Sequence, residues 1–194
     1  MLFYRHKLAE RTPTRHCDWL ESCLERGRST GVCTEQTSHG DFSVSKYYDR
    51  KYRKLIYFLH SNGNVLGFVE LERPKRWYAH EVTYLYVRPD FRKHGIAQYL
   101  YKTLIDDDIL LMSGWSQNPK SRGLWMNLIR DKSITVWAQD ILNLERISQV
   151  YFNEEGALET DLKLYHDINK KPRKLKTDVR LLAMKPTDDD MSHL

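Results

Sequence analysis

The stretch Glu81-Val-Thr-Tyr-Leu-Tyr-Val87-Arg-Pro-Asp-Phe-Arg92-Lys-His-Gly95-Ile-Ala97 decides the fold of this chain. Residues 82–87 are mostly β-branched or aromatic, a composition typical of strands. Pro89 has no N–H group to donate to a neighbouring strand, so the strand is predicted to end before it. Apolar residues then recur every four positions from Ile96 to Leu104, which is helical spacing. The stretch therefore predicts a strand, a short turn and a helix.

Gly95 lies where this helix is predicted to begin. The first N–H groups of a helix have no partner within the helix, and that end carries the positive pole of the helix dipole. A residue without a Cβ atom also lets a ligand come close to the backbone. The turn is therefore predicted to bind a small anion such as phosphate. The Gly-Lys-Ser/Thr of a Walker loop is absent, and a single glycine does not make a dinucleotide fingerprint.

The segment Arg92-Lys-His-Gly95-Ile-Ala97 resembles the Arg/Gln-x-x-Gly-x-Gly/Ala signature of the GNAT superfamily, which comprises acetyl-coenzyme A-dependent N-acyltransferases. The preceding Leu85-Tyr-Val87-Arg-Pro89 resembles the Leu-x-Val-x-Pro pattern of the fourth strand of that family. The four residues between Val87 and Arg92 are also the usual gap in the family. The resemblance is firmest over residues 55–138.

This resemblance implies acetyl-coenzyme A as cosubstrate. In the family, the backbone at the end of the fourth strand pairs with the pantetheine arm, which maps to Tyr86 and Val87. Backbone N–H groups of the following turn bind the pyrophosphate. That turn comprises Arg92, Lys93, His94, Gly95, Ile96 and Ala97, of which the first two add positive charge.

Acylation of an amine requires a base that removes its proton. Glu81 is the candidate, because histone acetyltransferases of the superfamily carry a glutamate at the matching place. It lies six residues before Val87, so strand alternation predicts that both face the same side. His80 has a suitable pKa range but is predicted to face the other side. Glu70 is a third possibility.

A second family motif is partly present in Asn118-Pro-Lys-Ser121-Arg-Gly-Leu-Trp125. The resemblance implies that Asn118 and Ser121 contact the coenzyme arm. Trp125 stands where many relatives carry a tyrosine that protonates the leaving thiolate. An indole N–H has no useful acidity, so Trp125 is predicted to pack in the core. The group that assists the leaving thiolate is therefore not identified from the sequence. The candidates are water, a helix dipole, Tyr84, Tyr86 and Tyr101.

Composition and charge set limits on the class of protein. The chain has 194 residues with 41% hydrophobic residues, which suits one folded domain. Its net charge of +5 favours acidic partners without demanding a nucleic acid. The three cysteines have no metal-ligand spacing and are expected to be reduced thiols. The sequence also shows no signal peptide and no apolar run of membrane-spanning length. Together these observations predict a cytoplasmic protein.

The rest of the sequence predicts an α/β domain with a mixed central sheet flanked by helices. Asn62-Gly63 between two apolar runs predicts a hairpin of residues 55–59 and 65–71. Further strands are predicted at residues 2–4, 109–112, 134–138 and 179–184. Helices are predicted after the cap Thr14 and at 118–128, and a loop is predicted at 30–40.

One GNAT-like domain is expected over residues 1–186, with an acidic tail at 187–194. The segment 143–176 is longer than the family's usual connection and is expected to determine specificity or form a homodimer. Its basic run and aromatic residues also suit nucleic acid, although the small net charge argues against that.

The predicted activity is transfer of an acetyl group from acetyl-coenzyme A to a primary amine, by direct attack. The alternative is a GNAT-fold protein that has lost catalysis and binds a protein or nucleic-acid partner. The missing tyrosine favours the alternative, whereas Glu81 and the intact turn at 92–97 favour the enzyme.

Overall fold

The fold is given by a computed structural model, which describes residues 36–39, 42–49, 53–74, 78–114, 119–140, 145–153, 155–159 and 179–186. Nine strands of the described part form one sheet. They are β1 (Gln36–His39), β2 (Phe42–Asp49), β3 (Lys54–Ser61), β4 (Asn64–Glu72), β5 (His80–Val87), β6 (Leu111–Met112), β7 (Thr135–Asp140), β8 (Glu145–Gln149) and β11 (Val179–Met184). Two short strands, β9 (Tyr151–Phe152) and β10 (Leu158–Glu159), form a separate hairpin.

The order of strands in the sheet is β1-β2-β3-β4-β5-β6-β11-β7-β8. Strands β5 and β6 pair in parallel, whereas every other neighbouring pair in this sheet is antiparallel. The sheet is therefore mixed, as predicted from the sequence. The parallel pair requires a crossover between its strands, and the first helix supplies it.

Two α-helices are described, α1 (Ile96–Asp106) and α2 (Pro119–Arg130). Their apolar residues join the inward side chains of β3, β4, β6, β7 and β11 in the main core cluster, here called the helix-side core. The buried Leu100 and Leu104 of α1 lie on this side, together with Trp125 and Leu128 of α2. Both described helices thus pack on one face of the sheet.

The opposite face of the sheet carries two smaller buried clusters. One is aromatic and consists of Ile56, Phe58, Phe68 and Tyr86, with Phe68 stacked on Tyr84 at 5.5 Å between ring centroids. The other consists of Ala79, Met112, Leu182 and Met184. Successive strand residues point to opposite faces, so these clusters alternate with the helix-side core along each strand.

Several predicted elements are confirmed. The hairpin of β3 and β4 turns at Asn62 and Gly63, which both have positive φ angles of 49° and 78°. The strand ends at Val87 and the helix begins at Ile96, as predicted, although the strand starts two residues earlier than the predicted 82–87. The last three predicted strands correspond to β6, β7 and β11, and the predicted helix at 118–128 corresponds to α2.

Other predictions need correction or fall outside the description. The prediction of a loop at 30–40 is wrong in part, because Gln36–His39 forms a strand that pairs with β2. Strand β2 was not predicted from the sequence either. Pairing with a neighbour decides the structure of such polar segments, which carry little local signal. The segment 143–176 contains β8, β9 and β10. The predicted first strand, the helix after Thr14, the run 168–176 and the tail 187–194 lie outside the described residues.

Candidate active site

Strands β5 and β6 are paired at only two positions, His80 with Leu111 and Glu81 with Met112. Strand β5 continues for six residues beyond Glu81, to Val87. On that side, in the described part of the chain, no strand pairs with these six residues. The sheet therefore opens between β5 and β6, with Glu81 at the vertex of the opening.

The backbone of β5 alternates between its neighbour β4 and this opening. The N–H of Arg88 donates to the carbonyl of Leu66 on β4, at 2.9 Å, and the register places Tyr86 opposite Phe68. Alternation then directs the N–H and C=O groups of Leu85 and Val87 into the opening. The prediction that Tyr86 supplies backbone groups there is corrected, because those groups face β4.

The turn after β5 brings a helix N-terminus to the mouth of the opening. Gly95 caps α1 with φ of +77°, and none of the described side chains caps this end. The N–H of Tyr99 makes the first helical bond, to the carbonyl of Gly95 at 2.9 Å. The N–H groups of Ile96, Ala97 and Gln98 precede that bond and have no acceptor within the helix.

The side chains of the turn are polar and solvent-facing. Arg92, Lys93 and His94 are exposed, whereas Ile96 is buried in the helix-side core and anchors the turn. The Nε of Arg92 donates to the carbonyl of Val87 at 3.1 Å, so this side chain ties the turn back to the end of β5. Of the predicted anion-binding residues, those at 92–95 are thus contiguous and exposed, and Arg92 and Lys93 among them are positively charged.

Gly67 on β4 is a residue that the sequence analysis missed. A Cβ atom there would lie 2.6 Å from the carbonyl oxygen of Tyr86, 3.3 Å from the Cα of Val87 and 3.4 Å from the side chain of Ile96. Only glycine allows β4, the end of β5 and the start of α1 to approach this closely. The signal in the sequence was an isolated glycine within a strand.

A β-bulge at Thr83 changes the direction of Glu81. The register between β4 and β5 pairs Glu70 with Tyr84 but Leu71 with Val82, so Thr83 is an extra residue. Val82, Leu85 and Val87 all pack on the helix-side core. Glu81 therefore faces the opposite side, and the prediction that it shares a face with Val87 is wrong.

Glu81 is buried and forms an ion pair at the vertex. It is 7% exposed, and its Oε2 lies 3.3 Å from Nη1 of Arg180 on β11, which is 1% exposed. The same Nη1 donates to the carbonyl of Ser113, directly after β6, at 3.2 Å. The guanidinium thus joins β5, the end of β6 and β11. Residue 180 was not singled out by the sequence, because its partners lie 67 or more positions away.

The comparison with protein families agrees with this geometry. The model of the acetyltransferase (GNAT) family matches residues 16–111, about half of the chain. The chain contains a GNAT domain. A search of curated proteins found no match.

Solved structures that match the chain include three acetyltransferases. IAA acetyltransferase from Bacillus cereus is 16% identical and has a TM-score of 0.37, with 70% of this chain and 81% of that chain covered. The ribosomal-protein-S18-alanine N-acetyltransferase from Escherichia coli is 13% identical, with a TM-score of 0.36 and coverage of 84% and 88%. A GNAT family acetyltransferase from Elizabethkingia anophelis, solved with acetyl-CoA bound, is 13% identical, with a TM-score of 0.41 and coverage of 76% and 100%.

The other two candidate bases of the GNAT domain lie in different surroundings. Glu70 faces the same side as Glu81, where it pairs with Lys54 and accepts a hydrogen bond of 2.8 Å from the hydroxyl of Thr83. His80 is half-buried, and burial, followed by the positive charge of Arg73, lowers its pKa. His80 faces away from Glu81, as predicted, because adjacent strand residues alternate.

The structure separates the tyrosines that could act as general acid in the GNAT domain. Tyr101 is buried under α2 in edge-to-face contact with Trp125, and burial raises the pKa of its hydroxyl well above the usual value. Tyr84 lies half-buried on the face that carries Glu81, and burial, with the charge of Glu70, raises the pKa of its hydroxyl. Tyr86 lies in the aromatic cluster.

The second motif is only partly described. Trp125 is 1% exposed within the helix-side core, which agrees with the packing role predicted for it. Ser121 lies in the first turn of α2 and is partly exposed. Asn118 lies outside the described residues. None of the described helices is long and apolar enough to cross a membrane.

Proposed function

We propose that this protein is an N-acyltransferase that moves an acetyl group from acetyl-CoA to a primary amine. The observation that carries the proposal is the edge of β5 beyond Glu81, which pairs with no strand of the described residues and runs directly into the Gly95 turn. An edge whose backbone groups are not taken up by a neighbouring strand suits an amide-containing arm, and a helix N-terminus that begins at a glycine suits phosphate. Pantetheine and pyrophosphate follow each other in the same order in coenzyme A.

The proposed contacts of acetyl-CoA are mainly with the backbone. Val87, together with Leu85, would pair with the pantetheine arm, and the N–H groups at Gly95, Ile96 and Ala97 would bind the pyrophosphate. The charges of Arg92 and Lys93 favour the bound phosphates, and His94 completes the turn. We keep Asn118 and Ser121 of the second motif as further contacts with the arm.

Glu81 is the proposed general base. A carboxylate at the vertex can take a proton from the amine, directly or through water, before the amine attacks the thioester. The C–S bond then breaks and the thiolate of coenzyme A leaves. Trp125 supplies no proton for this step, so we propose that water or Tyr84 supplies it.

The burial of Trp125 favours a second candidate function. A GNAT domain without a general acid at that position could act by binding a protein or nucleic-acid partner instead of by catalysis. Acetyl-CoA would bind in both cases, but only the enzyme would release free coenzyme A thiol in the presence of an amine.

Titration calorimetry of acetyl-CoA tests the proposal. We expect micromolar binding by the native protein and a loss of about 100-fold or more in Gly95→Glu, because the carboxylate fills the phosphate site and repels the anion. Gly63→Glu is the matched control. Gly63 has φ of +78°, close to the +77° of Gly95, and a Cβ atom at either position would meet nothing within 4 Å.

The two variants therefore share the backbone strain and differ in position only. Equal affinity in Gly95→Glu and the native protein would exclude the phosphate site. Binding that is established can be followed by a screen of amines, including lysine peptides, protein N-termini and polyamines, with release of coenzyme A thiol as the signal.

Several broader predictions accompany the proposal. We propose a cytoplasmic protein with one domain over residues 1–186 and a specificity element or dimer contact within 143–176. Light scattering of the purified protein, with and without residues 187–194, would test the homodimer and show whether the acidic tail contributes to it.

A further inference from the structure

Arg180 is an unusually deep cation for a strand residue. Its side chain is 1% exposed and lies on the face of β11 that also carries Leu182 and Met184. A buried charge is costly unless it is paired and hydrogen-bonded, and here Glu81 and the carbonyl of Ser113 meet both needs. The position of this guanidinium is therefore set by β5 and β6 together.

Ser113 fixes the guanidinium to a rigid support. Its N–H donates to the carbonyl of Leu181 at 2.9 Å, and its hydroxyl accepts from the N–H of Leu181 at 3.1 Å. Ser113 is itself 1% exposed. The chain after β6 is thus held against β11 at the residue that follows Arg180, so the carbonyl that accepts from the guanidinium is fixed in place.

The two oxygens of Glu81 lie in different surroundings. Oε2 faces Arg180, whereas Oε1 lies on the side of Gly114, where a Cβ atom would be 3.7 Å away. The same Cβ position would be 3.9 Å from the carbonyl oxygen of Val82, the first residue of β5 beyond the parallel pairing. Oε1 therefore lies next to the backbone of Gly114, at the point where the opening begins.

We propose that Arg180 is a positioning residue for proton abstraction by Glu81. It holds Oε2, keeps the carboxylate ionised and orients Oε1 toward the side of Gly114, where the opening begins. An N–H or water O–H bond breaks there, an O–H bond forms at Oε1, and the proton later passes to solvent. This inference rests on the proposed acyl transfer and names the residue that makes Glu81 competent for it.

Arg180 is one of several charged or polar groups that the neighbouring strands bring near Glu81. On β4, Glu72 is the direct cross-strand neighbour of Glu81, and it is exposed. Strand β6 contributes Met112, which does not ionise, and β11 contributes Arg180. On the Glu81 strand, His80 faces the other side. On β7, Gln139 pairs with Arg180 and bonds the hydroxyl of Tyr78 at 2.8 Å. Replacing Arg180 would therefore remove a cation that lies 3.3 Å from Oε2 of Glu81.

The test compares Arg180→Met and Arg180→Lys in acetyl transfer to 1,3-diaminopropane. Loss of the neighbouring cation disfavours the carboxylate, so the acidic limb of the kcat/KM profile should move to higher pH by about one unit or more. We expect kcat at pH 7 to fall about ten-fold or more in Arg180→Met and to recover partly in Arg180→Lys. The affinity for acetyl-CoA should stay unchanged.

Leu182→Ala is the control for lost packing. Leu182 is 1% exposed on the same strand and face, so its truncation destabilises β11 without removing a charge. Its profile should keep the native midpoint. An Arg180→Met enzyme with the native pH profile and kcat would overturn the proposal.

Two further measurements test the positioning role of Arg180 if Arg180→Met does not fold or the diamine is not acetylated. In Gly114→Ala the added methyl group would lie in ordinary contact with Oε1, at 3.7 Å, so the variant should fold normally. The methyl group would nevertheless cover that side of Oε1, and we expect kcat/KM to fall several-fold. Carbon-13 NMR of glutamate-labelled protein, with Glu81→Gln for assignment, should show the Glu81 midpoint at higher pH in Arg180→Lys than in the native protein, because an ammonium cannot reach both partners.

If the titration midpoint of Glu81 is the same in Arg180→Lys and in the native protein, Arg180 is not the residue that positions Glu81. Failure of the native protein to bind acetyl-CoA would instead sink the proposed function, so the two failures are distinguishable.

Discussion

The turn after β5 and the vertex between β5 and β6 form opposite kinds of site. The turn consists of consecutive residues, 92–97, that are mostly exposed and act through backbone groups. The vertex joins Glu81, Ser113 and Arg180, which are buried, distant in the sequence and linked through side chains. Binding of the cosubstrate is thus assigned to local geometry, and proton transfer to long-range packing.

This difference predicts that the two regions can be altered separately. A change in the turn should affect the affinity for acetyl-CoA and leave the pH profile intact. A change at the vertex should affect turnover and the pH profile and leave that affinity intact.

The largest expected effect is on turnover in Glu81→Gln. Loss of a general base costs about 10²–10⁴-fold in rate, while the distant turn should keep its affinity for acetyl-CoA. Steady-state kinetics with calorimetry on the same preparation measures both. Glu70→Gln is the matched control, because Glu70 is similarly buried on the same face. Turnover lost in Glu70→Gln but kept in Glu81→Gln would transfer the role of base to Glu70.

Gly67→Ala should displace the turn through its contacts with the end of β5 and the start of α1. The added Cβ atom would press on the carbonyl of Tyr86 and on Ile96, which should destabilise the fold by about 1–3 kcal/mol. Because the start of α1 shifts with Ile96, we expect acetyl-CoA affinity to fall as well, by roughly ten-fold, since 1.4 kcal/mol corresponds to that factor. Thermal unfolding and calorimetry would measure the two effects.

Gly123→Ala controls for the change in residue type. A Cβ atom there meets nothing within 4 Å, and the position lies inside α2, so the variant should gain about 0.5–1 kcal/mol. Native affinity in Gly67→Ala would show that the turn is positioned by other contacts.

Trp125→Phe tests whether the helix-side core is separate from both sites. We expect a loss of roughly 1–2 kcal/mol from the cavity left beside Tyr101, measured by denaturant unfolding. The basic limb of the pH–rate profile should not move. A basic limb that disappears in this variant would mean that Trp125 contributes to protonation of the leaving group.

The smallest effect concerns the pH dependence of stability at His80. Burial, followed by the charge of Arg73, lowers its pKa below the ordinary 6.5, so the unfolded chain binds a proton more readily. The stabilising contribution is present above pH 6.5 and is lost as the pH falls through the folded pKa. His80→Gln should therefore flatten the fall in unfolding free energy between pH 7 and 5. Equal slopes in both proteins would contradict this expectation.

The sequence was sufficient where a signal lies within a few consecutive residues. Asn62-Gly63 predicts its hairpin, and Pro89 and Gly95 mark the end of β5 and the start of α1, because backbone constraints at these residues act locally. The exposed anion-binding turn could be proposed for the same reason.

The vertex could not be predicted in this way. One bulge residue, Thr83, reverses the face of every residue before it, and simple alternation from Val87 gave the wrong side for Glu81. The pairing of Glu81 with Arg180 depends on the order of β5, β6 and β11 in the sheet. The role of Gly67 likewise appears only when β4, β5 and α1 are brought together.

The opening between β5 and β6 also bears on aggregation. Outer edges of sheets are commonly protected against pairing with other chains by charges, prolines or short strands. The six residues 82–87 form an edge inside a sheet, and their side chains are mostly apolar or aromatic. If this edge accepts an amide-containing arm, as we propose, it cannot be blocked in those ways. We therefore expect the ligand-free protein to be the more prone to strand exchange and aggregation, and acetyl-CoA to act as its solubilising partner.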